Sequence, residues 1–486
     1  MVKIKGISPL VGFVMVLGIS IFMTTIALTV IKPTIEKNKA INLINEASLN
    51  LEMLYSTIKD VVQEAPGSKR TISITISDGY YYLDKNKNCL IFRYDSPQRI
   101  DLLGKIGDKF LSLGTIFYDF FVNDNLTNYK IISGNWNIIN GRLEGINGTI
   151  YIPINGTYNS VFISSRFSSE TDLAQLFVDP TPENLVLYLT FDEGNGNIAY
   201  DYSGNNNHGI LYNGSIICSG LDCPNWVDGK FGKAIQFDGI NDYVEIPHNN
   251  VFNSFNLTIA LWLYRYSANN YESWRGIVSK GWKSGFGLYT LSIYYLGFYM
   301  KKPDFSWEMR SYNLGKVDEW IHLVVTWDGT NLNWYENGVL RKTESLPGYS
   351  IEVGSSPINI ARDPIETYRT SQIKVDEVKI YNRTLSELEI KFLYEQGLKK
   401  LRNSGMIYVN NFNNSKIVFS NPVGKTYFSE IIIGNLNSKE IELLLPIYNV
   451  EFSSGFKISK GNYKIKIENV GFNESNKRSI LKISLE

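Results

Sequence analysis

Residues 319–345 read EWIHLVVTWDGTNLNWYENGVLRKTES. Apolar and polar residues alternate in short runs, the period of a half-buried strand. Two tight hairpins separate the runs, at WDGTNLNW and at YENGVLR. In the second, Asn337-Gly338 favours a type I′ turn. The chain around this stretch, 184–397, repeats the pattern in NLVLYLTFDEGNGNIAYDYSGNNNHGILYNG, DGKFGKAIQFDGINDYVEIP, LTIALWLYRY, SPINIAR and VDEVKIYNRTLSELEIKFLYEQG. Many short strands with evenly spaced turns predict a β-sandwich. TLSELEIKFLYEQG is the one helix of this region, with Ser386 and Gly397 as its end signals.

The order of these phrases resembles the laminin-G-like, concanavalin-A-like jelly roll, over the whole of 184–397. That resemblance implies two antiparallel sheets and a structural Ca2+. The residues matching the family's acidic and loop positions are Asp192, Asp201 and Asn206 in DYSGNNN, and Asp376 in VDEV. Calcium takes six to eight oxygen ligands. First and last strands pair in such a fold, which would bring Asp192 and Asp376 together. The competing reading is that Asp201 and Asn206 shape a Gly-rich turn.

Eight of the nine tryptophans fall in this region. Aromatic faces stack on sugars, but they also fill sandwich cores. Trp262, Trp320 and Trp327 match positions the family uses for core or strand ends and are assigned to packing. Trp274, Trp282 and Trp307 stand in NYESWRG, KGWKSG and FSWEMRS, which read as loops, and are the candidates for a ligand platform.

Catalytic signatures are missing. A glycosidase of this sandwich type would place Glu-x-Asp-x-x-Glu on one strand, and no such string occurs. Gly-x-Ser-x-Gly, His-Glu-x-x-His and phosphate-binding Gly loops are also missing. The chain is therefore expected not to be an enzyme.

At the other end, MVKIKGISPLVGFVMVLGISIFMTTIALTVIK has no charge from Ile7 to Ile31. As a helix this run spans ~37 Å, more than a ~30 Å hydrocarbon core. It is longer than a cleavable signal's apolar region and has no small-residue site at its far end. Lys3 and Lys5 favour a cytoplasmic N-terminus, with the bulk of the chain outside. Beyond Pro33 a helical stripe continues through Ile41, Ile44, Ala47, Leu51, Leu54, Ile58, Val61 and Val62, and stops before APGSKR. KIKGISPLVGFVMVLG resembles the start of archaeal type IV pilin-like proteins. The resemblance implies a leader at 1–6, cleavage between Gly6 and Ile7, and a transmembrane and stem helix at 7–65. It also implies packing with copies of itself or other pilins through that helix. Val11 stands where bacterial pilins carry a Glu. The competing reading is a plain membrane anchor.

Composition suits an exterior protein. The chain has 486 residues, zero formal net charge and 13% aromatics, a balance that argues against a nucleic-acid partner. Sequons begin at Asn125, Asn147, Asn155, Asn213, Asn256, Asn382, Asn413 and Asn473, all beyond the stem. Cys218 and Cys223 could close a small loop or remain free thiols, and Cys89 reads as a buried strand residue. With only His208, His248 and His322 as histidines, a zinc site lacks ligands.

Strand-like segments precede and follow the sandwich. RTISITISDGYYYLDKNKNCLIFRY reads as two strands around a turn, and GNYKIKIENVGFNESNKRSILKISLE has the same alternation. Residues 68–180 and 398–486 are expected to build a pilin-like β head interrupted by the jelly roll, with a simple string of three β domains as the competing reading. The fold class is thus mainly β with one long N-terminal helix, a β head and a β-sandwich. The functional expectation is a surface protein presenting a carbohydrate- or protein-binding jelly roll for adhesion. A monomeric anchored adhesin and a surface glycoside hydrolase are the alternatives.

Overall fold

The computed structural model describes Leu17, Ser20, Thr24 and residues 31–486, apart from 98–103, 107–108, 114, 121–125, 127, 140–141, 172, 180–183, 220–222, 268–273, 283–284, 302–305, 397–399, 402–404, 437, 449 and 476. The Gly6–Ile7 junction and most of the apolar run lie outside the described residues. Among the described residues no helix is long and apolar enough to cross a membrane.

The chain is mainly β, with helices at Lys32–Gln63 and Glu387–Gln396. Pro33 stands in the first turn of the long helix, where its missing N–H costs no hydrogen bond. One face of that helix buries Ala40, Leu43, Ile44, Ala47, Leu51, Leu54, Ile58 and Val61. Ile41 and Val62, expected in the stripe, are half-buried at its border. The partner surface is an eight-stranded sheet whose strands come from both ends of the chain. Lys69–Asp84 pairs with Lys457–Asn473, Ile72 opposite Ile465, and Cys89–Asp95 pairs with Glu440–Pro446. Cys89 is fully buried on its strand.

The remaining strands of 68–180 and 398–486 do not join that head sheet. They form a second one of six strands, built around Arg142–Ser169 and Gly405–Asn435, with a core of its own. The chain is therefore nested: head sheet outermost, this middle sheet next, the jelly roll innermost.

The jelly roll is a nine-stranded sheet facing an eight-stranded one across a single apolar core. Trp327 and Trp334 fill that core. The hairpin at Asn337-Gly338 has both residues at positive φ (51° and 77°), with Glu336 paired to Val339, as a two-residue type I′ turn requires. First and last strands pair, Leu189 opposite Val378. At the second helix Ser386 and Glu389 form a capping box: Ser386 N donates to Glu389 Oε2 (2.8 Å) and Glu389 N donates to Ser386 Oγ (3.4 Å).

The outer face of the eight-stranded sheet is covered. Tyr188, Ala260, Val324, Tyr335 and Tyr381 meet Leu385, Ile390 and Leu393 around the second helix, and Tyr151, Phe177 and Val418 of the middle sheet. Because the core between the two sheets is supplied wholly from within 184–396, that fragment is expected to unfold cooperatively on its own. Losing the middle-sheet cover should lower its midpoint relative to the intact chain. Circular dichroism melts of both check this, and a fragment without a transition would contradict it.

On this covered face Trp262 packs against Phe231, His322 and Tyr394. His322 is buried, and burial, aided by the positive charge of Lys379, pushes its imidazole down to about 3 from 6.5. The unfolded chain takes up this proton near pH 6.5, so between pH 6.5 and 3 the unfolded state binds more protons. Stability must then fall as pH drops through that window. Between pH 7 and about 4.5 this group alone should remove about 2–3 kcal/mol. Denaturant titrations of the wild type and His322→Phe at both pH values test it: the variant should lose less by about that amount, and parallel losses would refute the assignment.

Candidate functional site

The three candidate tryptophans meet on the outer face of the nine-stranded sheet, Trp274 and Trp282 from loops as expected and Trp307 from the first position of the strand Trp307–Asn313, where it pairs with Lys301 rather than lying in a loop. The strand Tyr295–Lys301 alternates, sending Leu296, Phe298 and Met300 into the core and Tyr299 to the opposite face. Tyr299 stacks near-parallel with Trp282 (centroids 3.9 Å, 18°) and with Trp307 (5.0 Å, 7°). Trp274 meets Trp282 edge-on at 5.0 Å. Tyr299 is only 1% exposed, whereas Trp274, Trp282 and Trp307 are half-buried and keep part of their surface open.

Local backbone features hold this group. Gly287 pairs with Tyr299, and a Cβ there would lie 2.2 Å from the Tyr289 ring, so only glycine lets the rings approach. Trp274 has φ +72°, a left-handed conformation uncommon for a bulky residue, and its N–H donates to Thr290 O at 2.9 Å. Strain of this kind concentrates at functional sites.

A loop following Ile358–Ile360 completes the group. Asp363 is buried and accepts four hydrogen bonds: from Ser279 Oγ (3.0 Å), Tyr289 Oη, and the backbone N–H groups of Ile365 and Glu366 (2.8 Å each). Burial, with Asp363 alongside, pushes the Tyr289 phenol well up. Arg369 O accepts from Gly276 N at 3.0 Å, and Arg275 Nη1 donates to Tyr368 O and Thr370 O. So anchored, the Arg369 guanidinium lies 4.3 Å from the Trp282 centroid, 5.7 Å from Trp274 and 5.6 Å from Tyr368. The result is a pre-formed aromatic surface with one cation at its edge, able to stack on a flat apolar ring face and to bind an acceptor beside it.

Tyr299, Tyr289, Asp363 and Arg369 were missed by the sequence reading. The alternation in YLGFYM could have placed Tyr299 outward. Arg369, in IETYRTSQ, carries no local signal.

The four residues assigned to calcium are divided between two turns. Asp201 is buried and its Oδ1 accepts from Tyr188 N and Ser203 N (2.9 Å each). Its Oδ2 accepts from Ser203 Oγ (2.8 Å) and Asn207 N (2.9 Å). Burial raises its carboxyl while these bonds oppose the rise. Asn206 is an exposed turn residue at φ +57°. Asp192 and Asp376 instead grip the turn 229–233: Asp192 Oδ1 accepts from Lys233 N and Asp376 Oδ2 from Phe231 N, both at 2.9 Å. Among the described residues no three His, Cys, Asp or Glu side chains gather to hold a metal ion. Both carboxylate oxygens of Asp201 serve donors in a turn separate from the one that Asp192 and Asp376 grip, so the four residues are not gathered into one set.

Cys218 is buried and Cys223 half-buried, both free thiols; burial, then Cys223 beside it, pushes the Cys218 thiol up. Among the sequons, Asn147 and Asn256 are exposed, while Asn213, Asn382 and Asn473 are half-buried. Asn125, and the side chains of Asn155 and Asn413, lie outside the described residues.

Residues 238–391 match the family model Laminin_G_3, described as the concanavalin A-like lectin/glucanases superfamily. This segment is a concanavalin A-like domain. No curated protein matches the chain. Among solved structures, the binding domain of Paraclostridial Mosquitocidal Protein 1 is similar at 21% identity and TM-score 0.35, covering 44% of this chain and 52% of that one. Domain 4 of AbnA, an extracellular arabinanase from Geobacillus stearothermophilus, is similar at 17% identity and TM-score 0.34, covering 45% and 99%. The binding domain of botulinum neurotoxin serotype G is similar at 18% identity and TM-score 0.35, covering 44% and 51%. The chain thus spans about half the length of the first of these. In the concanavalin A-like domain, the aromatic group belongs to the strands Arg275–Ser279, Gly287–Thr290, Tyr295–Lys301 and Trp307–Asn313 and their loops.

Proposed function

We propose that the chain is a cell-surface binding protein whose concanavalin A-like domain takes a glycan on the Trp274, Trp282, Tyr299 and Trp307 face. One observation carries this reading: three tryptophans from separate segments converge on one stacked, partly open aromatic surface instead of filling the core. Sugar rings offer flat C–H faces to such a surface and hydroxyls to the polar groups beside it. In this proposal the uncharged run 7–31 tethers the chain to the membrane, with processing at Gly6–Ile7. The helix and head sheet act as a pilin-like stem, either packed with other copies or standing alone. The role is adhesion without catalysis.

A glycan array probed with the full chain in detergent micelles tests the binding role. The proposal expects oligosaccharides to be retained by the wild type and lost by Trp282→Ala. Retention by both proteins alike would refute the site, and release of reducing sugar from the same glycans would refute the non-catalytic role.

A further inference from the structure

The glycan reading leaves one charge unexplained. Arg369 Nε and Nη1 are closed off from water and have no hydrogen-bond partner. Among the described residues no carboxylate lies within ion-pair distance of its guanidinium, and the nearby Asp363 already serves four other donors. Two other ring-stacked arginines of this domain are compensated. Arg362, 3.2 Å from the Tyr243 centroid, has Glu245 at 4.0 Å. Arg310, over Tyr349, has Glu308 at 3.5 Å and Glu344 at 3.9 Å.

A guanidinium stripped of part of its hydration and left without a counter-charge favours an anion more than a hydrated surface arginine does. Its Nη2 is not among the closed-off nitrogens and belongs to a guanidinium that lies over Trp282, beside the rings that would meet a sugar. Carboxylate is the planar anion that a guanidinium recognises best, and sugars carry it directly on the ring as uronic acids. Resting on the glycan reading above, we infer that this face selects a carboxylated sugar residue of the uronic acid class, with the sugar ring against the open sides of Trp274, Trp282 and Trp307 and its carboxylate on Arg369.

The test titrates the full chain in detergent micelles with an oligogalacturonate hexamer, with its methyl ester and with dextran sulfate, reading tryptophan fluorescence. The ester keeps the rings and removes the charge. The expected result is at least tenfold tighter binding of the acid than of either comparison ligand. Arg369→Gln should bring acid and ester within about twofold, and Arg369→Lys should restore part of the gap. Melting curves of each variant control for folding. Equal wild-type affinity for acid and ester overturns the inference while leaving glycan binding standing. Equal affinity for dextran sulfate overturns the carboxylate assignment, and a preference that survives in Arg369→Gln overturns the role of that residue. Failure to bind acid or ester overturns the uronic acid class, and silence on the glycan array as well would remove the underlying reading.

Discussion

Trp282→Ala should lower glycan affinity about 100-fold, or about 2.7 kcal/mol. Trp282 is the ring on which the others depend: it stacks on Tyr299, meets Trp274 edge-on and lies under Arg369. Its loss removes the stacking surface and frees the guanidinium together. The fold should survive, because the ring lies on the outer face and the apolar core between the sheets does not include it. Trp307→Ala, which removes only one end of the stack, should cost less. Titration of an array-identified glycan into each variant, with a melting curve beside it, checks the ranking. A Trp282→Ala loss below threefold would mean that the rings only pack against one another.

Asp201→Ala should destabilise the concanavalin A-like domain by about 3–5 kcal/mol, equally with calcium and with chelator. The substitution leaves the N–H groups of Tyr188, Ser203 and Asn207 and the Ser203 hydroxyl without their acceptor in a buried turn. Each unsatisfied buried donor costs about 1–3 kcal/mol, with partial relaxation. Were Asp201 a calcium ligand, the wild type would melt higher in calcium and the variant would lose that response. The hydrogen bonding of Asp201 predicts that the variant responds to calcium as the wild type does. A wild-type rise of several degrees in millimolar calcium that the variant loses would restore the shared-ion reading.

The sandwich was legible because its signals are local. Alternation in IHLVVTW, the Asn337-Gly338 turn and the Ser386–Glu389 cap each depend on residues a few positions apart. The apolar stripe of the helix Lys32–Gln63 was legible for the same reason, through a 3.6-residue period. The division of the flanking strands into two sheets was not. It depends on pairings such as Ile72 with Ile465 and Lys416 with Asp179, set by partners hundreds of residues apart. Trp274 and Trp282 could be picked as loop residues, whereas Trp307 reads as loop but opens a strand, and the convergence of all three required the sheet order. Tyr299 looked like any strand tyrosine, and Arg369 like any surface arginine. The separation of Asp201 from Asp192 and Asp376 was not legible, because an aspartate that caps a turn and one that binds calcium occur in the same Asp/Asn/Gly-rich strings.

Hydroxyl-radical footprinting of the full chain, with and without an array-identified glycan, tests the binding site most directly. The ligand should lower oxidation at Trp274, Trp282 and Trp307 together, while solvent-facing Tyr294 and Phe255, outside the aromatic group, stay unchanged. Protection elsewhere on the domain, with those three tryptophans oxidised at their unliganded rate, would contradict it.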